Sequence, residues 1–182
     1  MSFVIAIDVG IKNLGLCIFD FRTNTVVLWE NVSLVPSGRY LPANNVQYVR
    51  DFMRKYDTYF MDAFQVIIER QIRGNMRIIE ALIHAMCYEH CVVISARSVK
   101  LHYDLSTKNY RGNKQKAVVF ANAFASKNPG AFDGEQLRRY MTSKKQDDLA
   151  DSLIMVLYYL DTYSNQLTTG LPAFFVEDEL RF

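Results

Sequence analysis

Residues 3–21 read FVIAIDVGIKNLGLCIFDF, and the expected fold follows from this stretch. An apolar run extends from Phe3 to Asp8, a polar turn follows at Gly10 to Asn13, and a second apolar run continues from Leu14 to Phe21. Two apolar runs joined by a short turn predict a β-hairpin. A third apolar run, from Val26 to Leu34, extends this hairpin, so we expect an antiparallel three-stranded meander.

Beyond the meander, the pattern changes to strands that alternate with helices. The predicted helices cover about Val46 to Phe60, Met76 to Tyr88, Lys114 to Ser126 and Asp147 to Thr162, and the predicted strands cover Phe64 to Ile68 and Cys91 to Ser95. Such alternation favours parallel pairing of the strands. We therefore predict an α/β fold in which a mixed five-stranded sheet, the antiparallel N-terminal meander plus parallel strands, is flanked by helices.

The size and composition of the chain favour one folded domain. With 182 residues, 50% of them hydrophobic, and no linker, we expect a single domain over residues 1–182. Three cysteines without CxxC spacing, and no secretory leader, predict reduced thiols and an intracellular protein. The apolar run from Leu153 to Leu160 is too short to cross a bilayer, so no membrane association is expected.

The charge of the chain is unevenly distributed. Between Arg70 and Lys145 there are 14 Lys/Arg and 5 Asp/Glu, a surplus of +9, although the whole chain has a net charge of only +2. A basic surface attracts a polyanion through its local field, within about 8 Å at physiological salt. Nucleic acid is therefore the predicted partner, and solvated helix faces are the structural alternative.

Four carboxylates stand at the ends of predicted elements. The set is Asp8 after the first strand, Glu69 after a later strand, and Asp148 and Asp151 at the start of the last helix. A strand delivers its last side chain to the edge of the sheet, and residues three apart on a helix share a face, so the four are predicted to converge. Taken singly, each has a structural alternative as a turn former or a helix cap.

Converging carboxylates indicate a metal site. Their like charges repel one another unless cations intervene, and oxygen ligands of this kind bind hard divalent cations such as Mg²⁺. Two ions about 4 Å apart can activate water and stabilise the leaving oxygen of a phosphodiester. The predicted chemistry is therefore metal-dependent phosphodiester hydrolysis.

Three stretches that contain these acids resemble the acidic motifs of the poxvirus-type Holliday junction resolvases. That family is related to bacterial RuvC and to the yeast mitochondrial resolvases. The stretches are residues 7–13 (IDVGIKN), 67–71 (IIERQ) and 145–152 (KQDDLADS). Their order and spacing match the family over nearly the whole chain.

The resemblance implies an RNase H-like fold and a homodimer that resolves four-way or other branched DNA by paired symmetric nicks, in the processing of recombination and replication intermediates. It implies two Mg²⁺ ions per active site, with Mn²⁺ as the other candidate ion, and it maps the metal ligands onto Asp8, Glu69, Asp148 and Asp151. Asp147 competes with Asp148, because Asp147 and Asp151 also share a helix face. The family suggests a large DNA virus and the host cytoplasm.

These enzymes also use a catalytic lysine ahead of the last helix, and residues 110–118 (YRGNKQKAV) are similar to that region. A lysine ammonium group stabilises the negative charge that develops on a phosphate under attack. Lys114 and Lys116 both suit this role, and spacing does not separate them. A basic first turn on an exposed helix is the structural alternative.

The basic surplus supplies candidate DNA contacts. Phosphate contacts give affinity without sequence reading and make binding depend steeply on salt. The predicted DNA-binding residues are Arg70, Arg73, Arg77, Arg97, Lys100, Lys108, Arg111, Lys144 and Lys145, together with Arg138 and Arg139. Tyr103, Tyr110 and Tyr140 lie among these charges and are candidates for stacking on unpaired bases.

Other functions share parts of this pattern. The motif from Asp8 to Gly15 also looks like the phosphate loop of the actin and sugar-kinase superfamily, but those proteins need two such lobes and this chain has room for one. A ribonuclease that acts on RNA–DNA hybrids or RNA precursors uses much the same carboxylates. A catalytically inactive DNA-binding module is the non-enzyme alternative, which intact acids at all three motifs oppose.

Two symmetric cuts require two sites related by a twofold axis, so a homodimer is expected on geometric grounds as well. The apolar face of the helix from Met76 to Tyr88 is the predicted contact. Its members are Ile79, Leu82, Ile83 and Met86.

Overall fold

The computed structural model of the chain describes residues 2–35 and 37–169, with side chains as far as Tyr163. Residues 170–182 of the predicted domain lie outside this part. The strands are β1 (Phe3–Asp8), β2 (Leu14–Asp20), β3 (Thr25–Val32), β4 (Ala63–Glu69) and β5 (Cys91–Ile94). The helices are α1 (Asn45–Lys55), α2 (Asp57–Met61), α3 (Gly74–Met86), α4 (Ala96–His102), α5 (Tyr110–Lys127), α6 (Gly134–Thr142) and α7 (Gln146–Thr169).

The five strands form one mixed sheet in the order β3-β2-β1-β4-β5. β1 pairs antiparallel with β2, and β2 pairs antiparallel with β3, as expected of a meander. β1 pairs parallel with β4, and β4 pairs parallel with β5. The predicted five-stranded mixed sheet is confirmed. Because β1 and β4 run in parallel, their last residues, Asp8 and Glu69, reach the same edge.

Both faces of the sheet are covered by helices. Along β1, Val4 and Ala6 face one core, to which α4 to α7 contribute, while Ile5 and Ile7 face a second core formed with α1, α2 and α3. Successive side chains of a strand point to opposite faces, so a strand covered on both sides needs apolar residues at every position. This explains the continuous apolar run that opens the chain.

Several element boundaries differ from the predicted ones. The helix expected over Val46 to Phe60 is broken at Tyr56 into α1 and α2. α5 begins at Tyr110, four residues before the predicted start, because the Asn109 side chain caps the helix by accepting from the Gly112 N–H at 2.6 Å. α7 continues past the predicted end at Thr162, with non-helical backbone angles at Tyr163.

Two helices were absent from the sequence prediction, α4 and α6. Each begins with a capping side chain: Ser95 accepts from Arg97 N–H, and Asp133 accepts from Glu135 N–H. The helices have only seven and nine residues, so few turns are available to show a periodic apolar pattern. The caps were the only local signal, and capping residues are also frequent in loops.

The predicted dimer contact on α3 is wrong for two of its residues. Ile79 and Ile83 are fully buried in the core, so they are not available for an intermolecular contact. Met86, the last residue of the helix, is 50% exposed, and Ile78 is 47% exposed. The buried half of this helix packs against the sheet, as a core-facing stripe does.

The cysteines Cys17, Cys87 and Cys91 are all buried and free. Burial raises the pKa of the Cys87 thiol to about 12, which keeps it protonated at neutral pH. Within the described ranges, no helix has both the length and the apolar character required to span a membrane.

Candidate active site

The four predicted carboxylates meet in one open cleft of about 640 Å³ at the edge of the sheet. The parallel pairing of β1 with β4 places Asp8 beside Glu69, and the first turns of α7 bring Asp148 and Asp151 to them. The cleft is lined by these acids and by six cationic side chains, Lys12, Arg70, Arg73, Lys100, Lys114 and Lys145. A carboxylate cluster within a basic rim is therefore present.

The start of α7 is held against the sheet by two features. Gly15, the antiparallel partner of Asp8, has no side chain, and a Cβ there would overlap the backbone carbonyl oxygen of Asp148. The indole N–H of buried Trp29 donates to the carbonyl oxygen of Leu149 at 2.9 Å. The glycine allows close approach and the hydrogen bond fixes the helix, so Asp148 is positioned from its backbone.

Crowding changes the acidity of these groups. Burial, the charge of Glu69 and a hydrogen bond with the Glu69 side chain hold the pKa of Asp8 well above its usual value. Burial likewise raises the pKa of Asp151 to about 6, although the nearby Lys100 opposes this. A hydrogen bond between two carboxyl groups requires a proton on one of them, so this cluster takes up positive charge.

Two lysines supply charge to the acids from the side. The ammonium group of Lys100 lies 3.4 Å from Asp151, and that of Lys114 lies 3.2 Å from Asp148 and also pairs with Asp147. Burial opposes the ammonium form of Lys114, but its bonds to these aspartates outweigh burial and hold its pKa above the usual value. Lys100 was predicted to contact DNA, whereas in the structure its ammonium group pairs with Asp151.

The donor set fits a hard divalent cation. All four side chains offer carboxylate oxygens, and burial together with the neighbouring acids raises the pKa of Asp8 and of Asp151. Among the described residues, no three acidic, histidine or cysteine side chains are already grouped as a metal-holding cluster. Two of the four carboxylates are instead engaged by lysines, Asp151 by Lys100 and Asp148 by Lys114.

The structure also separates the residues that the sequence left open. Asp148 lines the cleft and is among the charges that act on Asp8, whereas Asp147 belongs to neither group. Lys114 lines the cleft, whereas Lys116 is exposed and donates to the carbonyl oxygen of Asp104 at 3.1 Å. Asp148 and Lys114 therefore belong to the cleft, and Asp147 and Lys116 do not line it.

The predicted DNA-binding residues divide into two groups. Those that line the cleft are Arg70, Arg73, Lys100 and Lys145. Those that are exposed but do not line the cleft are Arg77, Arg97, Lys108, Arg111, Arg138 and Lys144. Arg139 instead pairs with Glu30 at 3.0 Å and Glu135 at 2.6 Å. The cleft thus gathers only part of the basic surplus.

The aromatic candidates also divide. Tyr110 is 72% exposed at the cleft, and the Lys114 ammonium group lies 5.2 Å from its ring centroid. Tyr140 is fully buried and stacked on Trp29 at 4.1 Å, so the expectation that it stacks on DNA bases was wrong. The hydroxyl of Tyr103 donates to Asp161 at 2.6 Å, away from the cleft-lining residues.

Sequence reasoning missed two residues of the cleft. Lys12 lies in the turn between β1 and β2, directly beyond Asp8, and its position next to a catalytic-type acid was the available signal. Ile72 is 92% exposed at the cleft although it is apolar. It had no signal, since exposure of a lone apolar residue is not readable from local sequence.

Known proteins share this architecture. The family profile described as "Poxvirus A22 protein" matches residues 2–162. The fowlpox virus resolvase in complex with its substrate Holliday junction DNA has a TM-score of 0.62 to this chain at 19% identity, covering 88% of this chain and 97% of that chain. A second structure, of the fowlpox virus Holliday junction resolvase, has a TM-score of 0.61 at 21% identity, covering 88% and 98%.

A bacterial protein has the same fold at greater distance. RuvC of T. thermophilus, in complex with a Holliday junction substrate, has a TM-score of 0.51 at 14% identity, covering 90% of this chain and 98% of that chain. No protein with a curated description matches the chain. At these identities the structural likeness establishes a common fold.

Proposed function

The chain belongs to the family of poxvirus A22 proteins and has the RNase H-like fold of the RuvC-type resolvases, and we propose on this premise that it is a structure-selective DNA endonuclease that resolves Holliday junctions. One observation carries the proposal: Asp8, Glu69, Asp148 and Asp151 share a cleft with six cationic side chains. We further propose that residues 1–182 form a single nuclease domain that acts in the cytoplasm of the infected host cell.

The four carboxylates would hold two divalent ions, Mg²⁺ or Mn²⁺. Bound there, such ions supply an activated water and stabilise the leaving oxygen of a phosphodiester. The protein contributes position, since Asp8 and Glu69 end paired strands and α7 is fixed by Gly15 and Trp29. Rigid elements of this kind hold ligands more precisely than loops do.

The lysine ammonium groups have a separate role in the proposal. Lys114 reaches the acids from α5 with a raised pKa, so it is charged at neutral pH and can stabilise negative charge on a phosphate in the cleft. The ammonium group of Lys100, on α4, lies 3.4 Å from Asp151. We assign Lys114 as the catalytic lysine and leave Lys116 outside the site.

DNA would be held by the basic rim of the cleft. Lys12, Arg70, Arg73 and Lys145 surround the carboxylates and are placed to contact phosphates on either side of the reacting one. Phosphate contacts carry no sequence information, so junction shape supplies selectivity. Four such contacts imply that log Kd changes with log salt by a slope of roughly 4.

The proposed function is tested by cleavage of a synthetic four-way junction, an RNA–DNA hybrid and a linear DNA duplex under the same metal conditions, with the strand breaks mapped. We expect symmetric paired nicks in the junction and little cleavage of the other two. Preferential cleavage of the hybrid would favour a ribonuclease. Binding to the junction without cleavage of any substrate would favour an inactive DNA-binding module.

We expect Mg²⁺ to stabilise the protein more at about pH 8 than at about pH 5. Burial raises the pKa of Asp151 to about 6, so the stability that its proton provides is present below about pH 4 and is lost as the pH rises through about 6; the pKa of Asp8 is raised in the same direction. Mg²⁺ competes with those protons. At about 100 times its Kd it adds ~2.7 kcal/mol, a rise of several degrees in the melting temperature.

Thermal melts with and without Mg²⁺ at both pH values measure this difference. The control variant is Asp151→Asn, which should reduce the Mg²⁺ shift at the higher pH. A Mg²⁺ shift that is equal at both pH values would contradict the carboxylate site.

We also propose that the protein is a homodimer through the exposed apolar stripe of α3, defined here as Ile78, Ala81 and Ala85. These residues recur at spacings of three and four and are all exposed, in contrast to the buried Ile79 and Ile83. A twofold axis through such a stripe buries it against its own copy. Two clefts would then act on one junction.

Substitution Ile78→Asp is expected to weaken the dimer at least about tenfold, because it places a charge in an apolar contact. Sedimentation velocity over a concentration series measures the change, and junction products should shift from paired to single nicks. Met61→Asp is the matched control, since Met61 is 77% exposed on α2 outside the stripe. An Ile78→Asp protein that remains as dimeric as this control would remove the stripe from the interface.

A further inference from the structure

Two adjacent aspartates open α7, and only one of them faces the cleft. Asp148 lines the cleft beside Asp8 and Asp151, whereas Asp147 pairs with the ammonium group of Lys114 without lining the cleft. Neighbouring residues on a helix point about 100° apart, which accounts for the separation. Asp147 is therefore an acidic residue next to the metal site with no place in the metal site.

Lys114 is held from three sides. Asp147 and Asp148 both accept from its ammonium group, and the ring of Tyr110 lies 5.2 Å from the same nitrogen. The side chains are mostly sheltered, with 24% exposure for Lys114, 22% for Asp147 and 13% for Asp148. A flexible lysine loses side-chain entropy when it is fixed, so a clamp of this kind needs several contacts.

Asp147 and Asp148 would not pair equally well with Lys114 if Asp148 also bound a cation. The negative charge of a carboxylate that coordinates a divalent ion is largely compensated by that ion, so the carboxylate attracts a lysine less. Lys114 would then keep Asp147 as its remaining acidic partner. A contact on the side of the lysine that is turned away from the cleft leaves its other N–H bonds free for a phosphate oxygen.

We propose that Asp147 is a positioning residue that holds Lys114 in place for the reaction while Asp148 serves the metal. The proposal rests on the proposed nuclease function and assigns separate tasks to the two adjacent acids. Asp147 stabilises the charged lysine, sets the direction from which the ammonium group enters the cleft, and needs no contact with DNA or metal.

A double-mutant cycle tests this assignment. Asp147→Asn is expected to slow single-turnover junction cleavage by about 10- to 100-fold, since a misplacement of about 1 Å in a catalytic group has an effect of that size. Lys114→Met should slow cleavage further, by about 10²- to 10³-fold. If Asp147 acts only through Lys114, Asp147→Asn should have no effect in the Lys114→Met background.

Three controls distinguish positioning from other roles. Asp147→Glu, which keeps the charge, should restore part of the rate. Glu135→Gln removes an acid from the second residue of α6, as Asp147→Asn does in α7, and should leave cleavage unchanged. Junction Kd and the Mg²⁺ concentration for half-maximal rate should be the same for Asp147→Asn and the unsubstituted protein.

A further readout needs neither DNA nor metal. Acylation of lysines by an amine reagent, followed by mass spectrometry, should be several times faster at Lys114 in Asp147→Asn, with Lys116 as the internal reference. Additive effects in the cycle, or an unchanged acylation rate, would overturn the positioning role. A Mg²⁺ requirement shifted as in Asp148→Asn would instead make Asp147 a ligand, and absence of junction cleavage by the unsubstituted protein would count against the nuclease function alone.

Discussion

Asp148→Asn is expected to reduce junction cleavage by on the order of 10³-fold while junction binding stays unchanged. Asp148 is one of four carboxylates in the cleft, and its replacement removes a negatively charged oxygen from the proposed metal site. The proposed phosphate contacts come from the basic rim, which this substitution does not alter. The amide keeps the size of the side chain, so the first turn of α7 and its bond to Trp29 should persist.

The same substitution should not destabilise the fold. Burial raises the pKa of Asp148 above its usual value, which means that its charge is a cost in the folded protein. An equal or higher melting temperature is therefore expected without Mg²⁺. The matched control is Asp161→Asn on the same helix, which loses a negative charge beside Tyr103, outside the cleft, and should cleave normally. Cleavage by Asp148→Asn at the unsubstituted rate would refute the proposed site.

Gly15→Ala is expected to lower cleavage by at least about 100-fold although it adds only a methyl group. A Cβ at this position would overlap the carbonyl oxygen of Asp148 and lie 3.4 Å from the Cβ of Asp8. Since the obstacle on α7 is backbone, the helix itself must shift, and both Asp148 and Asp151 move with it. Overpacking of this kind costs about 1–3 kcal/mol of stability.

A crystal structure or melting curve of the variant, together with cleavage rates, measures the two effects. Gly134→Ala is the matched control, since a Cβ there meets nothing within 4 Å. It should retain both stability and activity. If Gly15→Ala cleaves junctions as well as Gly134→Ala does, close approach of α7 to β2 is not what positions the acids.

Local patterns in the sequence were sufficient for the sheet. The continuous apolar runs at β1 and β4 predicted strands because each is covered on both faces, and the turn after Asp8 predicted the hairpin. The same runs pointed to Asp8 and Glu69, since each is the charged residue at which its apolar run ends. Short helices escaped prediction because α4 and α6 contain too few turns to show a period.

The choice between neighbouring candidates depended on three-dimensional contacts. Asp147 and Asp148 are equivalent by composition and by helix position, and so are Lys114 and Lys116. What separates them is the packing of α7 on Gly15, which lies 133 positions before Asp148, and of α5 on α7, which joins Lys114 to Asp147 over 33 positions. That Lys12 and Ile72 line the cleft also became apparent only from the three-dimensional structure.

The sequence by itself determined which apolar runs become strands, which acids stand at the ends of those runs, and where the excess of basic charge lies. These properties depend only on residue type and on the local pattern of apolar residues. Tertiary structure alone decided which acid, which lysine and which exposed apolar residues share a cleft or an outer face. That decision needs the direction of each side chain in space, and direction is fixed only when helices pack on the sheet.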